Sequence, residues 1–254
     1  MDTNSVIQIP IGLVELIRNA GSVAVLTGAG ISAESGVPTF REAQNGLWSR
    51  YDPEELATPQ AFRQNPKLVW EWYTWRRELV AHAAPNTGHL ALVEMERRFP
   101  EFTLITQNVD GLHQRAGSQQ VIELHGNIMR SKCFDENRVV ESYSETGEIP
   151  PRCPRCGGLL RPDVVWFGER LPESALETAW KAASTCQVFF SIGTSGIVEP
   201  AASLPYFAID AGAAVIEVNP NPTPLTRQAA YVLAGAAGVV LPALLAALCQ
   251  IENN

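Results

Sequence analysis

The sequence predicts an α/β protein built on a parallel sheet with helices on both faces, plus a smaller inserted module. Three observations carry that expectation. Short β-prone runs alternate with stretches of helical apolar spacing, and that alternation builds parallel sheets covered on both sides. The first such run passes at once into a glycine-rich segment. Between Cys133 and Cys156 the composition turns polar, Glu-rich and Pro-containing, which cannot make a core unaided.

In chain order, residues 11–19 (I-G-L-V-E-L-I-R-N) read as a helix that Gly21 would end. Residues 23–27 (V-A-V-L-T) read as a buried strand, and Gly28, Gly30 and Ala33 then follow the dinucleotide-binding spacing G-x-G-x-x-G/A. Glycines there let a phosphate approach the main-chain N–H groups. Gly36 and Pro38 interrupt the helix that this spacing normally opens, so residues 35–41 read as a loop. The acidic residue expected about 20 positions on is missing. Asp52 is near, but R-Y-D-P-E-E-L reads as a turn entering a helix. The stretch therefore suggests a dinucleotide used for something other than hydride transfer, with a plain tight turn as the alternative.

Residues 46–84 mix aromatic and charged residues at helical spacing, and Pro53, Pro59 and Pro66 divide them into short helices lying over the glycine loop. Residues 87–98 form a second amphipathic helix and 102–106 the next strand. After the insertion come a strand at 164–167 (V-V-W-F), a helix around 172–183, and strands at 188–192 and 214–218. Gly193 and Asn219 directly follow the last two, and open sheets bind ligands at the carboxyl ends of their strands.

At 254 residues and 46% hydrophobic, the chain can bury one large core, which suits a large domain with an insertion better than two equal halves. Nineteen Lys and Arg against 27 Asp and Glu give a net charge of -8, which argues against nucleic acid and is compatible with basic peptides. The opening M-D-T-N-S-V-I-Q lacks a basic n-region and an apolar core, and the apolar run 238–248 is too short to cross a bilayer and contains Pro242. A cytoplasmic protein without a membrane partner is expected. Five cysteines, two of them in C-P-R-C, point to reduced thiols and a metal rather than disulfides.

Several polar groups are placed to do chemistry. Gln107, Asn108 and Asp110 follow a strand and can grip a carboxamide or ribose; the alternative is an Asx-capped turn. His125, where V-I-E-L meets Gly126, suits a general base near neutral pH, or else a hydrogen-bonded structural histidine. Cys153 and Cys156 have the separation that lets two thiolates grip one zinc. Only Cys133 precedes them, and Glu136 stands where a fourth cysteine would, so four thiolates are excluded. Zinc on three thiolates plus Asp135, Glu136 or water is one outcome, and a metal-free ribbon is the other. Gly193-Thr194-Ser195 and Asn219-Pro220-Asn221 can meet ribose, phosphate or adenosine, or simply turn the chain.

Taken in order, G-A-G-I-S-A-E-S-G-V-P-T-F-R, T-Q-N-V-D-G-L-H, L-H-G, C-P-R-C, V-V-W-F-G-E, G-T-S and V-N-P resemble the sirtuin family of NAD-dependent protein deacylases, from about residue 11 to 247. The resemblance implies a Rossmann-like large domain (about 1–45, 86–128 and 160–254) and a small domain from a helical insertion (46–85) and a zinc-ribbon-like one (129–159), with NAD between them. It also implies that the acyl oxygen of an acylated lysine attacks the ribose carbon bearing nicotinamide, yielding nicotinamide and O-acyl-ADP-ribose. By that match His125 is the base, and Asn108 and Asp110 lie by nicotinamide and ribose, with Gln107 by the ribose. Gly28, Ala29, Gly30, Glu34, Thr39, Phe40 and Arg41 line the cofactor loop; Gly193, Thr194, Ser195, Asn219 and Asn221 hold the adenosine half. Val165, Phe167, Gly168 and Glu169 lie on the stretch resembling the strand that pairs with substrate peptide. Tyr73 and Arg76 face one side of a helix, as in the family branch that removes succinyl and malonyl groups, with deacetylation as a slower activity. The missing fourth cysteine departs from the family. Transfer of ADP-ribose to protein, or NAD sensing without turnover, are the alternative functions.

Overall fold

Nine strands of the computed structural model, which describes residues 7–38, 51–144 and 146–250, fall into two sheets. They are β1 (Ser22–Thr27), β2 (Glu101–Thr106), β3 (Val121–Glu123), β4 (Gly126–Cys133), β5 (Val139–Val140), β6 (Leu160–Val164), β7 (Val188–Ile192), β8 (Ala214–Asn219) and β9 (Tyr231–Ala234). The large sheet has the order β3-β2-β1-β7-β8-β9 and is parallel throughout. The small sheet, β5-β4-β6, is antiparallel. The helices are α1 (Ile11–Arg18), α2 (Ala29–Ser32), α3 (Pro53–Leu56), α4 (Pro59–Gln64), α5 (Pro66–His82), α6 (Thr87–Arg98), α7 (Leu112–Ala116), α8 (Glu173–Thr185), α9 (Leu204–Asp210) and α10 (Ala237–Gln250).

Successive residues of a strand point to opposite faces, and β1 uses both for core. Val23 and Val25 pack with Leu13 and Ile17 of α1, Leu92 and Met95 of α6, and Leu241 and Leu244 of α10. Ala24 and Leu26 pack on the other side with Ala179 and Ala183 of α8 and Leu204 and Ala208 of α9. Both faces are thus covered, as the unbroken apolar run in residues 23–26 requires.

A third cluster joins the helical insertion to the small sheet. Phe62, Val69, Trp72 and Tyr73 pack on Ile128, Val164 and Trp166. The three prolines mark helix starts, as expected, because the N–H they lack has no partner in a first turn anyway. Each follows a capping side chain: Asp52 accepts from Glu54 N at 2.8 Å, Thr58 from Ala61 N at 3.0 Å, and Asn65 from Leu68 N at 3.1 Å. Arg77 fixes α5 to the sheet by donating to the carbonyls of Ile128 (2.6 Å) and Arg130 (3.0 Å). Burying each large apolar side chain of this cluster contributes about 2 kcal/mol, which suffices for a module with little other core.

Two expectations need correction. The strand expected at 164–167 is β6, which ends at Val164, and residues 165–169 form a turn. The sequence reading also lacked α7, α9, α10, β4, β5 and β9: most are short runs with too little periodicity to register, and α10 is a largely apolar run without a clear polar face.

The sheet order reverses at β1. The chain steps outward through β2 and β3, then returns to the other side for β7, β8 and β9. A crevice opens at such a switch point beyond the carboxyl ends of the strands, and here it is bounded by residues 28, 107 and 193.

Candidate active site

The glycines of the first loop are explained by the chain itself. A Cβ on Gly28 would lie 2.7 Å from the Gly193 carbonyl oxygen, one on Gly30 2.7 Å from Gly193 Cα, and one on Gly193 2.5 Å from Ile31 N. The two loops interlock backbone to backbone. Gly28 N donates to Ile192 O at 3.0 Å and Gly30 N to Gly193 O at 2.9 Å. Tertiary packing thus already employs the N–H groups of Gly28 and Gly30. Ala29 opens α2 at the same crevice. Glu34, expected in the cofactor loop, instead accepts from Gly238 N at 2.7 Å in the first turn of α10, so it caps a helix. Thr39, Phe40 and Arg41 lie outside the described residues.

Asn108 and Asp110 are brought to the glycine loop through Ser32. Asn108 Nδ2 donates to Gly28 O (3.0 Å) and Ser32 Oγ (3.1 Å), and Ser32 Oγ donates to Asp110 Oδ2 (2.7 Å). Leu112 N holds the other Asp110 oxygen at 2.9 Å. Burial raises the Asp110 carboxyl above its usual range, and these hydrogen bonds oppose the shift. Behind them sits a polar layer missed at the sequence level. Thr27 Oγ1 meets Thr106 Oγ1 (2.9 Å) and His113 Nε2 (2.9 Å), and His89 lies against His113 with ring centroids 4.9 Å apart. Burial pushes His89 down to about 4 and His113 to about 3, so both are neutral. The only local signal was two histidines in helical contexts, which surface residues share.

The tautomer of His125 is fixed by one neighbour. Its Nδ1 lies 2.9 Å from the Gln107 carbonyl oxygen, which can only accept, so Nδ1 carries the proton and Nε2 keeps its lone pair. Burial lowers its pKa, and the bond to Gln107 partly restores it. Gln107 itself is tied to β1 by its N–H on Thr27 O at 3.0 Å. On the far side of the crevice, Asn219 Nδ2 donates to Thr194 O at 2.7 Å and joins the loops after β7 and β8, while Ser195 and Asn221 are exposed.

The turn after β6 links His125 to helix α5. Val165 N donates to His125 O (2.9 Å) and Phe167 N to Ala57 O (2.9 Å), leaving Phe167 and Gly168 exposed at the tip. Glu169 turns inward: its carboxylate accepts from Trp166 N (2.8 Å) and pairs with Arg161 at 2.5 and 2.9 Å. The Glu169 carboxylate thus braces the turn from within. Trp166 reaches α5, where its Nε1 donates to Tyr73 Oη at 2.9 Å. Arg76, half-buried, stacks over Trp72 with 5.1 Å to the ring centroid, and its neighbour Tyr73 is pushed up to about 12 by burial, hence a neutral phenol.

Cys133, Cys153, Cys156 and Glu136 converge, with one ligand atom from each within 4.8 Å of the others. Cys133 Sγ and Cys156 Sγ are 3.4 Å apart, and Glu136 N and Gly158 N donate toward sulfur at 3.5 and 3.4 Å. Three soft sulfurs and one carboxylate fit zinc, and Gly157 supplies a positive φ for the knuckle turn. Among the described residues no helix is long and apolar enough to cross a membrane.

The profile of the Sir2 family matches residues 28–200, more than half of the chain. A protein of Aquifex aeolicus named NAD-dependent protein deacylase is 60% identical over 209 residues, covering 82% of this chain and 87% of its own. NAD-dependent protein deacylase 1 of Pseudomonas aeruginosa is 47% identical over 249 residues, covering 92% and 96%. Among solved structures, a Sir2 homologue in complex with NAD superposes with a TM-score of 0.89 at 48% identity, over 96% of this chain and 95% of its own. A Sir2 protein bound to acetylated peptide gives 0.83 at 30% identity, over 92% and 96%. Sequence kinship of that extent, on a sheet whose switch point gathers the expected loops, establishes that the chain belongs to the Sir2 family, the sirtuins.

Proposed function

We propose that this chain is an NAD-dependent protein-lysine deacylase that removes succinyl and malonyl groups and, more slowly, acetyl groups. Its relatives carry the deacylase name, and Sir2 neighbours are solved with NAD and with acetylated peptide. The observation that carries the catalytic half is the His125 tautomer: an Nε2 lone pair beside the switch-point crevice, on an imidazole kept neutral by burial.

NAD, as cosubstrate, supplies a cleavable bond between ribose and nicotinamide. Asn108 and Asp110, braced by Ser32, form the wall for the nicotinamide and its ribose, with Gln107 beside the ribose. Gly28, Ala29, Gly193, Thr194, Ser195, Asn219 and Asn221 border the remainder of the dinucleotide. His125 Nε2 takes the proton of a ribose hydroxyl as that oxygen turns on the acyl carbon. The exposed tip at Phe167 and Gly168 meets the peptide main chain. The division of labour follows two domains, a large one of about 1–45, 86–128 and 160–254 and a small one of 46–85 and 129–159. Cys133, Cys153, Cys156 and Glu136 hold a structural zinc in the latter.

The acyl preference rests on Tyr73 and Arg76, one helical turn apart on α5 and joined to the base through the 165–166 turn. A guanidinium offers donors only and a neutral phenol has one proton to give, and a terminal carboxylate accepts from both. The test incubates the protein with NAD and acetyl-, malonyl- or succinyl-lysine peptides and follows masses. Loss of the acyl group with nicotinamide release is expected. ADP-ribose gained on protein would favour the transferase reading, and an NAD-dependent rise in Tm without nicotinamide release would favour a sensor. Arg76→Met should lower kcat/KM for the succinyl peptide about 100-fold, the cost of stranding a buried charge, and affect the acetyl peptide far less. Equal losses would remove the carboxylate assignment.

A further inference from the structure

The turn between β6 and α8 contains one residue that no reading of the motifs singles out. Trp166 is 2% exposed, and its indole Nε1–H donates to the Tyr73 hydroxyl at 2.9 Å. We propose that Trp166 is a specificity-determining residue: by occupying the acceptor side of the Tyr73 oxygen, it makes that phenol present its proton to the acyl tail and so selects acceptor-only carboxylates. The inference rests on the carboxyl-acyl reading above and extends it to a residue that does not itself touch the tail.

A phenol can both donate and accept, so Tyr73 alone would tolerate a carboxylate or a carboxamide in the same place. The indole N–H has no acceptor capacity and is fixed in direction. Once it points at Oη, the remaining proton must be directed elsewhere, and polarisation by the first bond strengthens the second. The indole cannot swing away, because it is held on every side. Its own backbone N–H is bound by Glu169 at 2.8 Å, and the Arg161 guanidinium lies over the ring at 3.2 Å from the centroid. Arg161 is in turn locked by the Glu169 carboxylate and by Val164 O at 2.7 Å. Phe62 fills the remaining side, with ring centroids 5.4 Å apart. The buried Arg161–Glu169 pair thus acts as a brace for one hydrogen-bond direction. Because Val165 N is bonded to His125 O, the brace also places that direction at a fixed offset from the catalytic base.

The test uses two isosteric peptides, succinyl-lysine and its terminal carboxamide, succinamyl-lysine, with the full-length protein and NAD. Wild type should prefer the carboxylate. Trp166→Phe should narrow that preference about fivefold, mainly through KM, as expected for one neutral hydrogen bond. In a Tyr73→Phe background the same Trp166→Phe change should narrow it no further, because the partner atom is gone. An unchanged ratio in Trp166→Phe overturns the inference. Additive losses in the double variant overturn it too, since simple packing would act whether or not the phenol oxygen is present. If Trp166→Phe does not fold, benzothienylalanine at 166 keeps both rings and lacks only the N–H, and is judged by the same ratios. Failure of the carboxyl-acyl reading is seen separately: wild type would then not distinguish the two peptides, and Arg76→Met would not change their ratio, so that both ideas fall together.

Discussion

His125 illustrates how a single neighbour assigns a tautomer. The Gln107 carbonyl dictates which ring nitrogen carries the proton, and burial keeps the other one free at neutral pH. The sign follows directly. A pKa lowered from 6.5 means the active, neutral form persists below that value, so kcat/KM should stay flat through pH 7 and fall only on an acid limb with its inflection under 6.5. An inflection above 6.5 would contradict it. His125→Ala should reduce turnover at least about 1,000-fold while calorimetry still detects NAD binding, and retained turnover would refute the base. The histidine itself was legible from L-H-G at a strand edge. Its tautomer was not, because Gln107 is 18 residues away and meets it only when β2 and the β3–β4 junction converge.

At the scale of elements, the cysteine-bearing ribbon is where composition and structure agree most closely. A polar segment without a core left two outcomes, zinc or a metal-free ribbon, and its three thiols converge with Glu136 within 4.8 Å of one another. Choosing among Asp135, Glu136 and water needed the folded knuckle. Glu136 reaches the sulfurs, whereas Asp135 Oδ2 lies so close to Gly158 that a Cβ there would sit 2.2 Å from it. Purified protein should contain about one equivalent of zinc, and a strong chelator should lower Tm by about 5 °C or more. Zinc near zero with an unchanged Tm would establish the metal-free ribbon instead. Glycine spacing was equally visible in the sequence, whereas the chain segment it accommodates was not. Gly28 and Gly30 are small because Gly193 crosses against them, a contact between chain segments more than 160 residues apart.

Over the whole molecule, the buried polar layer behind the switch point ties β1, β2, α6 and α7 together and should make the fold acid-labile. His89 and His113 stay neutral down to about 4 and about 3, while in the unfolded chain both protonate from 6.5. Above 6.5 their contribution is fully present. Below it the unfolded state binds more protons, so stability falls as pH falls, with a limiting slope of about 2.7 kcal/mol per pH unit for two histidines. Asp110, raised by burial, takes up its proton natively and offsets part of this at the acid end. Urea unfolding between pH 7.5 and 5 should reveal the slope, and His113→Gln should make it shallower; an identical slope in the variant would show that other groups are responsible.

The sequence by itself determined the alternation of strands and helices, the loops that close the switch point, a histidine at a strand edge, and a tyrosine and an arginine one turn apart. These depend on periods of two and 3.6 residues and on motifs contiguous in the chain. Only the tertiary structure decided that Glu34 caps α10, that Glu169 braces Arg161, that His89 and His113 form a neutral pair, and that Trp166 donates to the Tyr73 hydroxyl. Each of those is a directional contact between distant segments. A hydrogen bond forms or fails within a few tenths of an ångström, and that distance is set by strand register and helix packing, which no local pattern encodes.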